Sequence, residues 1–309
     1  MKIEKILSER NTVWQNSKLI PKWVDLTTVG LDQYFTKKEV ALWCYQMACD
    51  YLTEKGVDIR DCLFIEPSAG NGSFFNLLPC DSRIGIDLCP LSSGIIKHDF
   101  LTWSPPKTNK KIVVIGNPPF GYRAWLALEF MKKAASFADY VFFILPMAFQ
   151  SEGKGSPKYR VKGLRLAKTY ALPSHSFRTP QNEDYHINSL FQCWEKGKNS
   201  EFQDVCYNDF MDIFTVDSRK ERLCGQEKMK DADFFIQRTF FSNPPKLVYD
   251  FSEVKYKCGY GFIIKKSKDI IQQILNDTDW MNYSNLAVHG CRHISMYHIR
   301  KALFDHGLR

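Results

Sequence analysis

The segment Gly116-Asn-Pro-Pro-Phe-Gly121 combines an amide side chain, two prolines and an aromatic ring. Consecutive prolines fix a rigid, extended turn, which leaves the side chain of Asn117 and nearby backbone carbonyls available to a ligand. The amide oxygen of Asn117 and the carbonyl of Pro118 can each accept one N–H, and Phe120 can stack on a ring. The pattern predicts a receptor for a planar group that bears an amino function. The plain alternative is an Asn-Pro turn followed by a core phenylalanine.

Acidic and glycine residues upstream predict a neighbouring ligand site. Glu66-Pro-Ser-Ala-Gly-Asn-Gly72 follows an apolar run, and glycines at such a point let a ligand approach the backbone closely, although the G-x-G-x-x-G fingerprint is absent. Asp87 suits the two hydroxyls of a ribose. Asp99 and Phe100 can bind an adenine amino group and cover its ring. Each acid alone is as easily a loop or cap residue, but together they predict one site.

A parallel sheet is the element that would bring these residues together. Apolar runs alternate with helical patterns, which is typical of parallel strands covered on both faces. The carboxyl ends of such strands share one edge of the sheet. The strands are predicted at 62–65, 83–86, 95–96, 111–115 and 140–145, the helices at 36–52 and 125–138, and two later strands at 169–172 and 186–194, joined by a polar hairpin over 174–184.

Composition sets broad limits. The chain has 309 residues, of which 44% are hydrophobic and 25% charged, so it is expected to fold as a globular protein. No apolar run approaches 18 residues and no secretory signal is visible, so we expect an intracellular, cytoplasmic protein without a membrane partner. The net charge of +8 favours a polyanionic partner without proving one. Residues 1–30 are predicted to be irregular, with Trp14 and Trp23 as anchors.

Cysteine usage favours reduced thiols. There are ten cysteines and no C-x-x-C pair, which argues against zinc ribbons and thioredoxin-like motifs. One local cluster, His289, Cys291 and His293 with His298 beyond, could lie on one strand face. A fourth ligand is not evident, so no metal site is predicted.

Three motifs in this order resemble the gamma-class N6-adenine methyltransferases: Leu31-Asp-Gln-Tyr-Phe-Thr36, Glu66–Gly72 and Asn117-Pro-Pro-Phe120. These enzymes use S-adenosylmethionine (SAM) and mostly act on DNA. The resemblance covers residues 30–195 and implies a Rossmann-like class I methyltransferase sheet with a smaller C-terminal α+β region. It also implies an N-terminal extension at 1–30, a catalytic domain at 31–197 and a target-recognition region at 198–309.

The resemblance also implies roles for individual residues. Packing on the methionine end of SAM falls to Tyr34, Phe35 and Thr36. The SAM loop comprises Glu66, Ala69, Gly70 and Gly72; Asp87 holds the ribose, and Asp99 and Phe100 form the adenine pocket. The catalytic tetrapeptide is Asn117, Pro118, Pro119 and Phe120.

The implied substrate is an adenine of DNA, flipped out of the duplex. An acid-free basic stretch predicts phosphate contacts from Lys154, Lys158, Arg160 and Lys162, unless it is simply a solvated loop. Three alternatives stay open: an RNA N6-adenine methyltransferase acting on ribosomal or messenger RNA, a protein glutamine methyltransferase, and a nucleic-acid-binding module without catalysis.

Overall fold

The computed structural model describes residues 2–15, 20, 24–26, 34–217, 227–250, 253 and 258–308. The chain divides into two compact units. The first comprises Met1–Phe149 and Pro157–Glu201, and the second comprises Gln150–Ser156 and Phe202–Arg309. The division falls inside the basic stretch, so Lys154 belongs to the second unit and the basic residues that follow it belong to the first.

A seven-stranded mixed sheet forms the centre of the first unit. Its strand order is β4-β3-β2-β5-β6-β10-β7. The neighbouring strands β4, β3, β2, β5 and β6 all run parallel to one another, whereas β10 is antiparallel to both β6 and β7. The strands are β2 (Cys62–Pro67), β3 (Arg83–Asp87), β4 (Ile95–Lys97), β5 (Lys111–Gly116), β6 (Tyr140–Pro146), β7 (Leu164–Ala171) and β10 (Ser189–Lys196). The sheet confirms the predicted Rossmann-like α/β fold.

The central strands are mostly apolar because helices and loops cover both faces of the sheet. Val113, Val114 and Ile115 of β5 are completely buried. Helix α2 (Lys38–Glu54) buries a stripe at spacings of four, namely Cys44, Ala48 and Leu52, in the core that contains Phe64 and Phe142. Helix α3 (Trp125–Ala135) follows β5. This packing fixes the carboxyl ends of β2, β3 and β5 beside one another.

The secondary structure of the N-terminal residues differs from the irregular conformation that the sequence predicts. Residues 2–15 form helix α1 (Lys2–Gln15) rather than an irregular segment. Ile6, Arg10 and Trp14 are buried at spacings of four, so they share one face of the helix. A buried arginine in the middle of that face hides the apolar period from sequence analysis. Trp23 lies outside the described residues.

One local boundary was also wrong. The helix predicted from Thr36 begins at Lys38, because Thr36 lies in β1 (Phe35–Thr36) and pairs with Phe177 of β8 (Phe177–Arg178). The polar hairpin contains β8 and β9 (Asp184–Tyr185). These two strands form a small three-stranded sheet with β1, separate from the central sheet.

The second unit is a smaller α+β structure. Within its described residues it contains two three-stranded sheets and two helices. Their bounds are β11 (Met211–Val216), β12 (Phe234–Gln237), β13 (Thr239–Phe240), β14 (Gly259–Ile264), α4 (Lys268–Asp277), β15 (Asn285–Leu286), β16 (Arg292–His293) and α5 (Met296–Asp305). One core cluster joins strand residues such as Phe262 to helix residues such as Ile271 and Leu303.

The histidine and cysteine cluster of this unit makes local contacts. His293 Nδ1 lies 2.9 Å from Thr239 Oγ1, and its Nε2 lies 3.4 Å from Cys291 Sγ. His298 accepts the backbone N–H of Ser295 at 3.0 Å and closes a capping box at the start of α5. Across the ranges that the structure describes, no group of three His, Cys, Asp or Glu side chains could hold a metal ion, and none of the helices has the length and apolar character needed to cross a membrane.

Candidate active site

Two cavities meet at Asn117, beyond the carboxyl ends of the parallel strands. The space within them, part of which is open solvent, is about 800 Å³ for the first and about 700 Å³ for the second. Tyr34, Asn117 and Pro119 line both of them. Of the residues singled out from the sequence, the first cavity brings together Tyr34, Phe35, Gly70, Asp87, Asp99, Phe100, Asn117 and Pro119.

Asp87 anchors the loop that follows β2. Its Oδ2 accepts the backbone N–H of Gly70 at 2.8 Å and its Oδ1 accepts that of Cys89 at 2.7 Å. Burial raises the pKa of the Asp87 carboxyl above its usual value, and these two hydrogen bonds oppose the rise. Each carboxylate oxygen can accept a second hydrogen bond. Asp87 therefore offers two acceptor sites, one on each oxygen, to a ligand in the first cavity.

Gly70 leaves no room for a side chain. Its φ is +49°, and a Cβ there would lie 3.2 Å from the ring of Phe35. Ser68, two residues earlier, has a φ of +74°, which is rare for a residue other than glycine. Its Oγ donates to the carbonyl of Asn117 at 3.0 Å. This strained residue, which sequence reasoning missed, joins the glycine loop to the segment after β5.

Glu66 lies beneath the loop and does not line the first cavity. Burial raises the pKa of its carboxyl well above the usual value, and hydrogen bonds from the backbone of Phe75 and Phe74 act in the opposite direction. Its Oε2 has no hydrogen-bond partner among the described residues. A Cβ on Gly116 would lie 3.2 Å from Glu66 Cγ. In this structure Glu66 supports the loop from behind.

Three further residues predicted from the sequence shape the loop without lining the first cavity. Thr36 is buried, and its carbonyl accepts the hydroxyl of Ser73 at 2.8 Å. Ala69 is buried as well. Gly72 has a φ of +83°, and a Cβ there would lie only 2.7 Å from Asn76 Nδ2. These contacts define the path of the backbone from which Gly70 reaches Asp87.

The far end of the first cavity is lined by aromatic rings and by the carboxylate of Asp99. Phe100 is buried and its ring centroid lies 5.2 Å from that of Phe130. The backbone N–H of Leu101 donates to Asp99 Oδ1 at 2.9 Å. Helix α1 supplies Arg10 and Trp14 to the same cavity. Sequence reasoning missed both as site residues, and the spacing Ile6, Arg10, Trp14 was the available signal.

Asn117 presents an unused acceptor. Its Nδ2 donates to the backbone carbonyl of Tyr34 at 3.3 Å. Its Oδ1 is buried and has no hydrogen-bond partner among the described residues. Gly121, four residues later, has a φ of +66°, and a Cβ there would lie 2.8 Å from Leu126 Cβ. The turn thus packs closely on α3 and holds Asn117 at the junction of the two cavities.

Aromatic residues make up half of the lining of the second cavity. Pro118 and Phe120 line it together with Tyr122, Phe177, Tyr185 and Ile187. The rings of Tyr34 and Tyr185 stack with their centroids 4.0 Å apart and 15° between their planes. Tyr122 is 68% exposed. No pattern in the sequence marks Phe177 and Tyr185 as site residues, because they lie in a hairpin whose residues are mostly polar.

The basic residues differ in their surroundings. Arg160 and Lys162 are exposed, as is Lys154 in the second unit. Lys158 is half-buried, with its Nζ 4.9 Å from the ring centroid of Tyr159. Later basic residues of the same stretch are paired, Arg165 with Glu195 and Lys168 with Glu54. Arg160 and Lys162 are therefore the exposed cations that the first unit contributes to the predicted phosphate contacts.

The fold is that of the class I SAM-dependent methyltransferases, as its strand order shows, with β10 antiparallel between β6 and β7. No family model matches the chain, and no curated protein matches it either.

Several solved structures resemble the chain at low identity. A Pyrococcus horikoshii protein titled "putative RNA methyltransferase" is 17% identical, with a TM-score of 0.39 over 54% of this chain and 87% of its own. A type I restriction enzyme modification subunit from Vibrio vulnificus, also titled "putative", is 14% identical, with a TM-score of 0.37 over 62% of this chain and 49% of its own. Magnesium protoporphyrin IX methyltransferase from Synechocystis, solved with bound SAM, is 11% identical, with a TM-score of 0.37 over 63% and 95%. These TM-scores are too low to support an argument. The fold class is therefore assigned from this chain's own strand order, and its function is argued from the residues of the site.

Proposed function

We propose that this protein transfers the methyl group of SAM to the N6 amino group of adenine in DNA. The observation that carries the proposal is the buried, unpartnered Oδ1 of Asn117 at the junction of two cavities. One cavity has the acceptors and rings that suit an adenosine, and the other is walled by aromatic side chains. An acceptor between them is where an amine would meet a methyl donor.

The first cavity fits SAM. The unused acceptor sites of Asp87 suit the two ribose hydroxyls, Asp99 suits the adenine amino group, and Phe100 covers that end of the cavity. Tyr34 and Phe35 line the part nearer Asn117, where the methionine end would lie. The bound cofactor supplies a methyl group on a positively charged sulfur, which leaves as a neutral thioether.

Asn117 and Pro118 would activate the target amine. An exocyclic adenine amine is a poor nucleophile because its lone pair is delocalised into the ring. Acceptors on its two hydrogens, Asn117 Oδ1 and the Pro118 carbonyl, favour a pyramidal nitrogen and stabilise the positive charge that develops on it. After the methyl group has been transferred, the nitrogen loses one of these protons to solvent. Pro119 stiffens the turn, and Phe120 stacks on the base. Positioning for in-line attack supplies much of the remaining acceleration.

The second cavity would receive the target base. A base in a duplex cannot reach a buried acceptor unless it is flipped out of the stack, which costs a few kcal/mol. Stacking on aromatic rings offsets part of that cost. The rings of Phe120 and Tyr185 at this cavity support a purine over the side chain of a protein glutamine, which needs no aromatic walls. We assign target recognition to residues 198–309 as part of the same proposal.

Labelled SAM and mass spectrometry of nucleosides test the proposal. Purified protein is incubated with duplex DNA, single-stranded DNA and RNA, and each nucleic acid is digested to nucleosides. We expect label in N6-methyldeoxyadenosine. Label in N6-methyladenosine of RNA alone would replace the DNA substrate by an RNA substrate. Label in neither, with SAM bound, would exclude the nucleic-acid substrate and leave protein glutamine as the next candidate.

Replacing Arg160 and Lys162 by Gln should weaken binding to every DNA sequence alike. If both side chains contact phosphates, the log–log slope of affinity against salt should fall by about 0.9 per contact for duplex DNA and about 0.7 for single strands. Sequence preference should not change, because phosphates carry no sequence information directly. The measurement is the dissociation constant at several salt concentrations.

The matched control removes two positive charges elsewhere. Lys107→Gln with Lys111→Gln alters the residues before and at the amino end of β5, the opposite edge of the sheet. The ion pair of Lys111 with Asp139 is long, at 3.7 Å, and partly exposed, so its loss should cost little stability. Equal slopes for the two double variants would show that the Arg160 and Lys162 effect is only one of net charge.

A further inference from the structure

Helix α1 forms part of the wall of the first cavity. Trp14 is only 3% exposed and Arg10 only 4%. The ring of Trp14 meets that of Trp125 edge to face, with centroids 5.7 Å apart, and the guanidinium carbon of Arg10 lies 4.6 Å from the Trp14 centroid. An indole in contact with a cation and with a second indole is held in one orientation.

That orientation directs the indole N–H at Asp99. Trp14 Nε1 donates to Asp99 Oδ2 at 2.7 Å, while the backbone N–H of Leu101 donates to Oδ1 at 2.9 Å. A carboxylate has about four acceptor sites on its two oxygens. With one donor on each oxygen, the carboxylate is fixed in position and keeps one site on each oxygen for a donor in the cavity.

We propose that Trp14 is a positioning residue for the cofactor. Its indole N–H orients the Asp99 carboxylate so that it accepts the 6-amino group of the cofactor's adenine. Helix α1 is thereby part of the cofactor site, 85 residues away in sequence from the acid that it orients. The identity of the cofactor rests on the function proposed above.

The consequence is a preference for an amino group over an oxo group at position 6 of the purine. An amino group donates to the oriented carboxylate, whereas an oxo group only accepts and gains nothing from it. Removing the indole N–H should therefore weaken binding of the amino compound and spare the oxo compound. A purely structural role of Trp14 would weaken both alike.

The test compares S-adenosylhomocysteine with S-inosylhomocysteine by calorimetry, for the wild type and Trp14→Phe, which keeps an aromatic ring without the donor. We expect the affinity for S-adenosylhomocysteine to fall about fivefold and that for S-inosylhomocysteine to stay unchanged. Equal losses for both compounds, or no loss for either, would overturn the inference. A wild type that binds neither compound would instead refute the cofactor assignment, and the inference with it.

A second variant tests the route through Asp99 independently. Asp99→Asn alone should reduce the discrimination between the two compounds, since an amide cannot offer both acceptor oxygens. In that background Trp14→Phe should have no further effect on the discrimination, because residues that act as a pair are not additive. Full additivity of the two changes would contradict the positioning role. Circular dichroism and thermal unfolding check that each variant is folded.

Discussion

Asn117→Ala should slow methyl transfer at least a hundredfold while leaving the affinity for SAM within a few-fold of the wild type. The substitution removes Oδ1, the acceptor that stabilises charge on the amine, and loss of such a group costs about 3 kcal/mol or more in the barrier. In the proposed site the cofactor rests mainly on Asp87 and Asp99, which the substitution does not touch. Single-turnover kinetics with labelled SAM give the rate, and calorimetry gives the affinity.

Two comparison variants sharpen this result. Asn109→Ala removes an exposed amide before the amino end of β5 and should leave both quantities unchanged. Asn117→Asp keeps acceptor oxygens but loses the N–H that donates to the carbonyl of Tyr34, so its loss of rate should be smaller than that of the alanine variant. Near-normal turnover of Asn117→Ala would refute the proposed catalytic role of Asn117.

Much of the sheet and of the first cavity could be predicted from the sequence, for a physical reason. Strands buried on both faces are apolar, as residues 112–116 and 141–146 are, and parallel strands place their carboxyl ends at one edge. Polar residues that directly follow such strands must then lie close together. Asp87 and Asn117 satisfy this condition, and both line the first cavity.

Other parts of the site depend on packing that no short window of sequence contains. Arg10 is buried on the same helix face as Trp14, so an apolar period is interrupted where the helix meets the cavity. Tyr185 reaches the second cavity from a hairpin whose residues are mostly polar. Glu66 and Gly70 belong to one motif, yet they lie on different sides of the loop, which the spacing alone does not reveal.

Asp87→Ala should weaken the binding of SAM by about a hundredfold. Two hydrogen bonds from the ribose hydroxyls to a charged acceptor are lost, each of which contributes about 1.5 kcal/mol or more. The backbone N–H groups of Gly70 and Cys89 lose their acceptor as well, so the loop also loses the anchor that shapes the cavity. Calorimetry measures the effect, and Asp81→Ala, an exposed acid before β3, is the matched control that should bind SAM normally.

The pH dependence of binding tests whether SAM binding needs the charged form of the Asp87 carboxyl. Because burial raises the pKa of Asp87, its carboxylate should become protonated at a higher pH than an ordinary aspartate. The ribose hydroxyls favour the charged form, so the affinity of the wild type for SAM should fall on acidification through that raised pKa. Asp87→Ala should not show this fall in SAM affinity on acidification, whereas Asp81→Ala should show it. An unchanged SAM affinity in Asp87→Ala would show that the carboxylate makes no contact with the ligand.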